Sequence, residues 1–112
     1  MTALIMGLLW LSSGQPITAS YYGHSWDGLL TASGTIYNCL DMTAAHKSLP
    51  FGTRLLVAAN GRAVVVTITD RGPYIAGRGL DLSLRAAKSL AMIRQGVAEC
   101  RVYRLTGGND GT

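Results

Sequence analysis

Residues 63–74 read Ala-Val-Val-Val-Thr-Ile-Thr-Asp-Arg-Gly-Pro-Tyr. The first half is β-branched and apolar, the composition of a buried strand. The run stops at Asp70, and Arg71 leads into Gly72-Pro73, a strong turn signal. A carboxylate therefore stands where a packed strand opens into a loop. Packing behind a strand end holds its side chains in place, which is what a catalytic acid needs. The alternative is that Asp70 only organises the turn and pairs with Arg71.

Working outward, Asn60-Gly61 lies between the apolar runs 53–58 and 62–69 and predicts a hairpin. Leu49-Pro50-Phe51-Gly52 is a turn into the first of these strands. Residues 41–46, Asp-Met-Thr-Ala-Ala-His, suit a helical turn capped by Asp41, since Ala and Met favour helix. Residues 17–22 form a short strand ending at Gly23, residues 24–28 a loop, and residues 35–37 a further short strand. Trp26 in that loop either stacks on a sugar or packs on the body of the protein. Downstream, Ser83 is the N-cap of a helix over 84–92, with Leu84, Ala87, Leu90 and Ala91 on one face. Gly96 ends that segment, and residues 97–105 alternate as a strand does. No internal repeat or linker interrupts the chain. Several short strands with one helix suit a small, mainly β barrel.

The chain has 112 residues, enough for one small domain. Only 14% are charged and 14 are Gly, a balance that favours a turn-rich β architecture over a helical bundle. The formal charge of +4 suits an anionic partner: cell-wall polymer, membrane surface or nucleic acid. The basic residues are spread singly, with no aromatic interleaving, which argues against nucleic acid. The first ten residues are nearly all apolar, and Ser12-Ser13-Gly14 follows. This run is too short to span a bilayer and reads as a secretory leader over residues 1–14, cleaved after Gly14. No Lys or Arg precedes it, so an uncleaved leader stays open. No Cys ends the leader, so no lipid anchor is expected. Residues 107–112 read as a disordered tail.

Cys39 and Cys100 lie far apart and form no C-x-x-C pair. In an exported protein they would most simply form one disulfide, which for a loop of this length contributes roughly 3–5 kcal/mol. In a protein kept in the cytosol they would be two buried thiols. The two His and the scattered acids show no recognised ligand spacing, so neither metal nor cofactor is expected.

A second stretch joins the first. Residues 43–53 read Thr-Ala-Ala-His-Lys-Ser-Leu-Pro-Phe-Gly-Thr and contain His46. Upstream stand Ala19-Ser-Tyr-Tyr-Gly and Thr31-Ala-Ser-Gly. Asn60-Gly61-Arg62 lies between two strands, and Gly77-Arg78-Gly-Leu-Asp81-Leu-Ser closes the set. In this order the motifs resemble the RlpA-like family, the double-psi β-barrel lytic transglycosylases of the bacterial envelope, over residues 19–105. The resemblance implies a six-stranded double-psi barrel with one or two short helices, spanning residues 15–106.

It also implies an exported enzyme of the periplasm or cell envelope. Active family members cleave the bond between N-acetylmuramic acid and N-acetylglucosamine without water, leaving 1,6-anhydro ends. An acid must protonate the leaving oxygen and a base must take the proton of the attacking hydroxyl, and one carboxyl can do both in turn. By resemblance Asp70 is that group, with His46 as its partner. Tyr22, Trp26, Thr35, Arg71 and Tyr74 would contact the glycan. The implied partner is peptidoglycan, bound by a monomer with neither nucleic acid nor a stable membrane anchor. One position departs from the family: active relatives carry Glu after Thr-Ala-[Ser/Asn]-Gly, and here Thr35 stands there. Thr35 holds no charge, and Asp27 or Asp41 would have to substitute, Asp81 being expected at the helix entrance. A non-catalytic wall-binding barrel of the expansin kind is therefore the alternative, and a small secreted barrel of the barwin kind a third.

Overall fold

A computed structural model describes residues 14–107; the expected leader before Gly14 and the tail after Gly107 lie outside the described residues. Within them run the strands β1 (Gln15–Tyr21), β2 (Thr43–His46), β3 (Thr53–Ala59), β4 (Arg62–Asp70), β5 (Leu80–Leu82) and β6 (Ala98–Gly107). A 3-10 turn lies at His24–Trp26 and a short helix, α1, at Leu84–Ser89.

The β3–β4 hairpin forms where the sequence predicts it. Asn60 and Gly61 both have positive φ, 54° and 72°, the geometry of a two-residue hairpin turn whose twist matches its strands. The Asn60 amide donates to Leu90 O (2.9 Å) and to Gln95 Oε1 (2.8 Å), tying the hairpin to the segment after α1. Pairing continues around a closed barrel in the order β1-β5-β2-β4-β3-β6. β1 with β5 and β2 with β4 are parallel, and the remaining pairs are antiparallel. The mainly β, six-stranded barrel expected from sequence is thus observed.

Alternation sorts the side chains. Leu55, Val57, Val66, Ile68, Leu80, Leu82 and Val102 fill the interior with no exposed surface, and Leu90 and Met92 join the same buried cluster. A second, smaller apolar cluster lies outside the barrel wall, where Tyr22, Tyr37, Cys39 and Leu84 cover Ala45. Among the described residues, the Thr53 hydroxyl is the buried side-chain oxygen with no hydrogen-bond partner. Replacing it with the isosteric Val removes an uncompensated polar group. Thr53→Val should raise stability by about 1 kcal/mol, read as an increase in the urea midpoint; a lower midpoint would show that the hydroxyl is satisfied in solution.

Several local expectations change. Residues 43–46 are a strand and not a helical turn, because the small Ala44 and Ala45 fit between β4 and β5, and tertiary pairing overrides helix propensity. The expected strand at 35–37 reduces to a single bridge, Leu30 with Ile36. Ser83 does cap the helix, accepting from Ala86 N–H (3.2 Å), yet the helix ends at Ser89. Ala91 adopts φ 56° and is exposed, so Met92 and not Ala91 turns inward. β6 runs to Gly107, into the first residue of the expected tail.

The expected disulfide is not formed: Cys39 and Cys100 are both free and buried. The reason is topological. Cys100 packs with the interior cluster and Cys39 with the cluster outside the wall, so the barrel wall separates them. Thiol titration of the denatured, unreduced chain should find two free thiols per molecule; finding none would mean that the bridge forms after all.

Candidate active site

Asp70 reaches the surface through an irregularity in β4. Val64, Val66 and Ile68 alternate inward, and by strict alternation Asp70 would follow them into an apolar core. The pairing with β2 prevents this. Ala44 pairs with Ile68 but Ala45 with Asp70, so Thr69 is an extra residue on β4. Such a bulge re-aims the following side chain, and here it turns Asp70 to the outer face beside Ala45. The burial cost of a lone carboxylate supplies the physical reason.

The same residue, Ala45, pairs on its other side with Asp81 of β5, and Asp81 pairs in turn with Ser20 of β1. Ser20, Asp81, Ala45 and Asp70 therefore form one row across four adjacent strands, facing one way. Asp70 and Asp81 lie two strand spacings apart, about 10 Å between α-carbons, and Ala45 between them is buried beneath Tyr22 and its neighbours. Both carboxylates line a groove of about 410 Å³.

The two acids are held differently. Asp70 Oδ2 accepts a hydrogen bond from Tyr22 Oη (2.7 Å), and Oδ1 accepts from the N–H groups of Ala32 (2.8 Å) and Arg71 (2.9 Å). These are acceptor contacts throughout, the pattern an ionised carboxylate fills. Burial, then the bond to Asp70, push the Tyr22 phenol far above its usual range, so it remains the donor. Asp81 accepts one side-chain bond, from Ser20 Oγ (3.0 Å). Burial raises the Asp81 carboxyl above its ordinary value and the Asp70 charge adds to this, while the Ser20 bond and Arg78 offset part of it.

The predicted residues divide into those that line the groove and those that support it. Trp26 and Tyr74 line it with 50% and 82% of their surface exposed, so their rings are open to a ligand. Tyr22 lines it too but is buried, stacked on Tyr37 at 4.8 Å and edge-on to Trp26 at 5.7 Å, with its hydroxyl committed to Asp70. Arg71 lies at the groove, yet its guanidinium folds back over the Phe51 ring (4.0 Å) and donates to Leu49 O (2.8 Å) and His46 O (3.3 Å). It therefore leaves the Asp70 carboxylate unpaired by a side-chain cation at this contact.

His46 is not among Asp70's hydrogen-bond partners in the described residues. Its Nδ1 accepts from the N–H groups of Ser48 (3.1 Å) and Leu49 (3.0 Å), which places the ring proton on Nε2. Burial, then Arg71 and Lys47, lower its proton affinity, so the ring is neutral. Thr35 sits in a hydroxyl cluster with Thr31 (2.8 Å) and Ser33 (3.1 Å), on the loop whose Ala32 N–H clamps Asp70. Neither Asp27 nor Asp41 lines the groove, and Asp27 instead accepts from Cys39 N–H (2.6 Å). The second groove carboxylate is Asp81, which sequence reasoning assigned to the helix entrance. Its signal was present: a charge flanked by Leu80 and Leu82 in strand alternation belongs on an outer face.

A family model described as "Lytic transglycolase" matches residues 15–102. The chain is 53% identical over 90 residues to a "Probable endolytic peptidoglycan transglycosylase RlpA" of Aquifex aeolicus, covering 77% of this chain and 40% of that one. It is likewise 53% identical over 88 residues to the protein of that name from a Nostoc species, covering 75% of this chain and 24% of the relative. The chain thus spans well under half the length of these relatives. Among solved structures, an expansin of Clavibacter michiganensis superposes with a TM-score of 0.67 at 19% identity, over 81% of this chain and 50% of that one, a likeness of fold. With the barrel closed and the family model matched over residues 15–102, the chain belongs to the RlpA-like family of double-psi β-barrel lytic transglycolase domains.

Proposed function

We propose that this chain is the catalytic barrel of an exported peptidoglycan lytic transglycosylase, with Asp70 and Asp81 as its two reacting carboxyls. The observation that carries the reading is the row Asp81–Ala45–Asp70, which brings two acids to the lining of one groove of about 410 Å³. The relatives' names supply the substrate class, peptidoglycan, and its place is the cell envelope.

In the proposed reaction the glycan lies along the groove, with Trp26 and Tyr74 against its sugar faces. Asp70, held by three donors that leave its oxygens as acceptors, takes the proton from the 6-hydroxyl of the N-acetylmuramic acid unit. The freed oxygen attacks the anomeric carbon of the same sugar. The bond from that carbon to the departing N-acetylglucosamine oxygen breaks, and Asp81, whose hold on its proton burial strengthens, supplies the proton. The products are a 1,6-anhydro end and a new free hydroxyl, and no water is consumed. The two acids then exchange their proton difference with solvent. Tyr22 and Ala32 hold Asp70 in place. His46 fixes the turn after β2 as a neutral ring, and its carbonyl helps hold the Arg71 head group away from the acid.

The second reading, a barrel that binds wall glycan without cutting it, rests on Thr35, a neutral hydroxyl where active relatives carry Glu. Digestion of purified peptidoglycan, intact and stripped of stem peptides, separates the two. Anhydro-muramic ends detected by mass spectrometry support the enzyme. Co-sedimentation with wall material in the absence of any cleavage products supports the binder.

A further inference from the structure

We propose that His24, Asp27 and Cys39 form a binding site for a borderline transition-metal ion, Zn²⁺ being the best match, which pins the groove wall that carries Trp26. No ligand spacing announces this in the sequence, because the set is assembled by folding. His24 and Asp27 are three residues apart across the 3-10 turn His24–Trp26, and side chains at that interval eclipse in a 3-10 helix. Cys39 comes from a later loop, brought in by its N–H bond to Asp27 Oδ1 (2.6 Å).

The geometry suits an ion. One ligand atom from each residue lies within 4.8 Å of the other two. Cys39 Sγ and His24 Nδ1 are 3.7 Å apart. A tetrahedral Zn²⁺, with Zn–S near 2.3 Å and Zn–N near 2.0 Å, holds its sulfur and nitrogen about 3.6 Å apart. The spacing therefore needs almost no adjustment for these two ligands, and an Asp27 oxygen lies within 4.8 Å of both. His24 and Asp27 are exposed while Cys39 is buried, so the ion enters from solvent and meets the sulfur last. A cavity of about 80 Å³ bordered by His24, Cys39 and Lys88 leaves space for a water as fourth ligand.

The donor set decides the class of ion. One thiolate, one imidazole and one carboxylate favour Zn²⁺ and its neighbours over Mg²⁺ or Ca²⁺, which take oxygen ligands. Binding exchanges the Cys39 thiol proton for the metal and releases that proton to solvent. The charges of Cys39 and Asp27 then cancel the two positive charges of the ion, so Lys88 at the rim meets no net repulsion. The consequence reaches the groove, because Trp26 lies between the two ligands of the 3-10 turn and its ring stands on the groove wall. An ion that ties His24 and Asp27 to Cys39 fixes that wall.

The test uses the whole reduced chain titrated with Co²⁺ and followed in the near ultraviolet, where cobalt–thiolate bonds absorb. One equivalent should produce the charge-transfer band, and Zn²⁺ should bleach it. Cys39→Ser should abolish the band. His24→Gln, at an exposed position, should weaken binding at least about 100-fold, the upper range for the loss of a partner that merely supports a ligand. Cys100→Ser should leave the band unchanged. Zn²⁺ should also raise the thermal midpoint of the wild-type chain and not of Cys39→Ser. The proposal is overturned if the folded chain gives no band, if the band survives Cys39→Ser, or if it follows Cys100. None of these readouts depends on glycan cleavage, so they stand or fall apart from the proposed enzyme activity.

Discussion

Asp70→Asn should cut glycan cleavage by about 100- to 10,000-fold, the range for loss of a general acid or base, while the barrel stays folded. The hydrogen bonds explain why the two effects separate. Asp70 Oδ1 accepts from Ala32 and Arg71 N–H, and Oδ2 accepts from Tyr22 Oη. An asparagine can place its oxygen on the two N–H groups and its NH₂ toward Tyr22. The Tyr22 hydroxyl then rotates to accept, since a phenol both donates and accepts. Every polar group keeps a partner, so the stability cost should stay below about 1 kcal/mol. What asparagine cannot do is take a proton from a sugar hydroxyl. Asp70→Ala differs, because it orphans all three donors and should cost stability as well. Release of soluble anhydro-muropeptides measures the first effect and thermal unfolding the second. Turnover that survives the asparagine would remove Asp70 from the chemistry.

Asp81→Asn should also lose about 100-fold or more in cleavage, and it should do so while gaining stability at neutral pH. Burial raises the folded-state value of Asp81 above the unfolded carboxylate value. Below the unfolded value, near 3.9, both states hold the proton and the full stability is present. As pH rises from there through the raised folded value, the unfolded chain releases its proton first, and stability falls. At neutral pH the wild type therefore carries the penalty of a half-buried charge that asparagine does not. Asparagine keeps an oxygen for the Ser20 hydroxyl, so that bond survives. Denaturant midpoints measured at neutral pH and near pH 3 should show the variant ahead at the first and level at the second. A variant less stable than wild type at neutral pH would contradict the raised value, and unchanged cleavage would leave Asp70 as the sole reacting acid. A residue that weakens the fold yet carries the reaction is the expected trade at an active site.

Much of this barrel is legible in the chain itself. Asn60-Gly61 between two apolar runs specifies its hairpin because few residues accept positive φ at both turn positions. The Ser83 cap is legible because a hydroxyl before a helical run has one good acceptor role to play. β2 is not legible locally because Ala44 and Ala45 carry little strand propensity, and only their fit between β4 and β5 makes them strand. The cysteine pairing failed because sequence separation says nothing about which side of a wall a residue faces.

The site divides along the same line. The sequence by itself determined that Asp70 ends a core strand, that Tyr74 follows it in the next turn and Trp26 stands in a separate loop, and that the whole belongs to one barrel family. These follow from local composition and from ordered motifs, which survive in one dimension. Only the tertiary structure decided that Thr69 is an extra residue, that Asp70 consequently faces outward, and that Asp81 stands two strands away across Ala45. It also decided that His24, Asp27 and Cys39 meet. The physical reason is register: which residues share a row across neighbouring strands depends on pairings between distant segments, and a shift of one position sends a side chain to the opposite face.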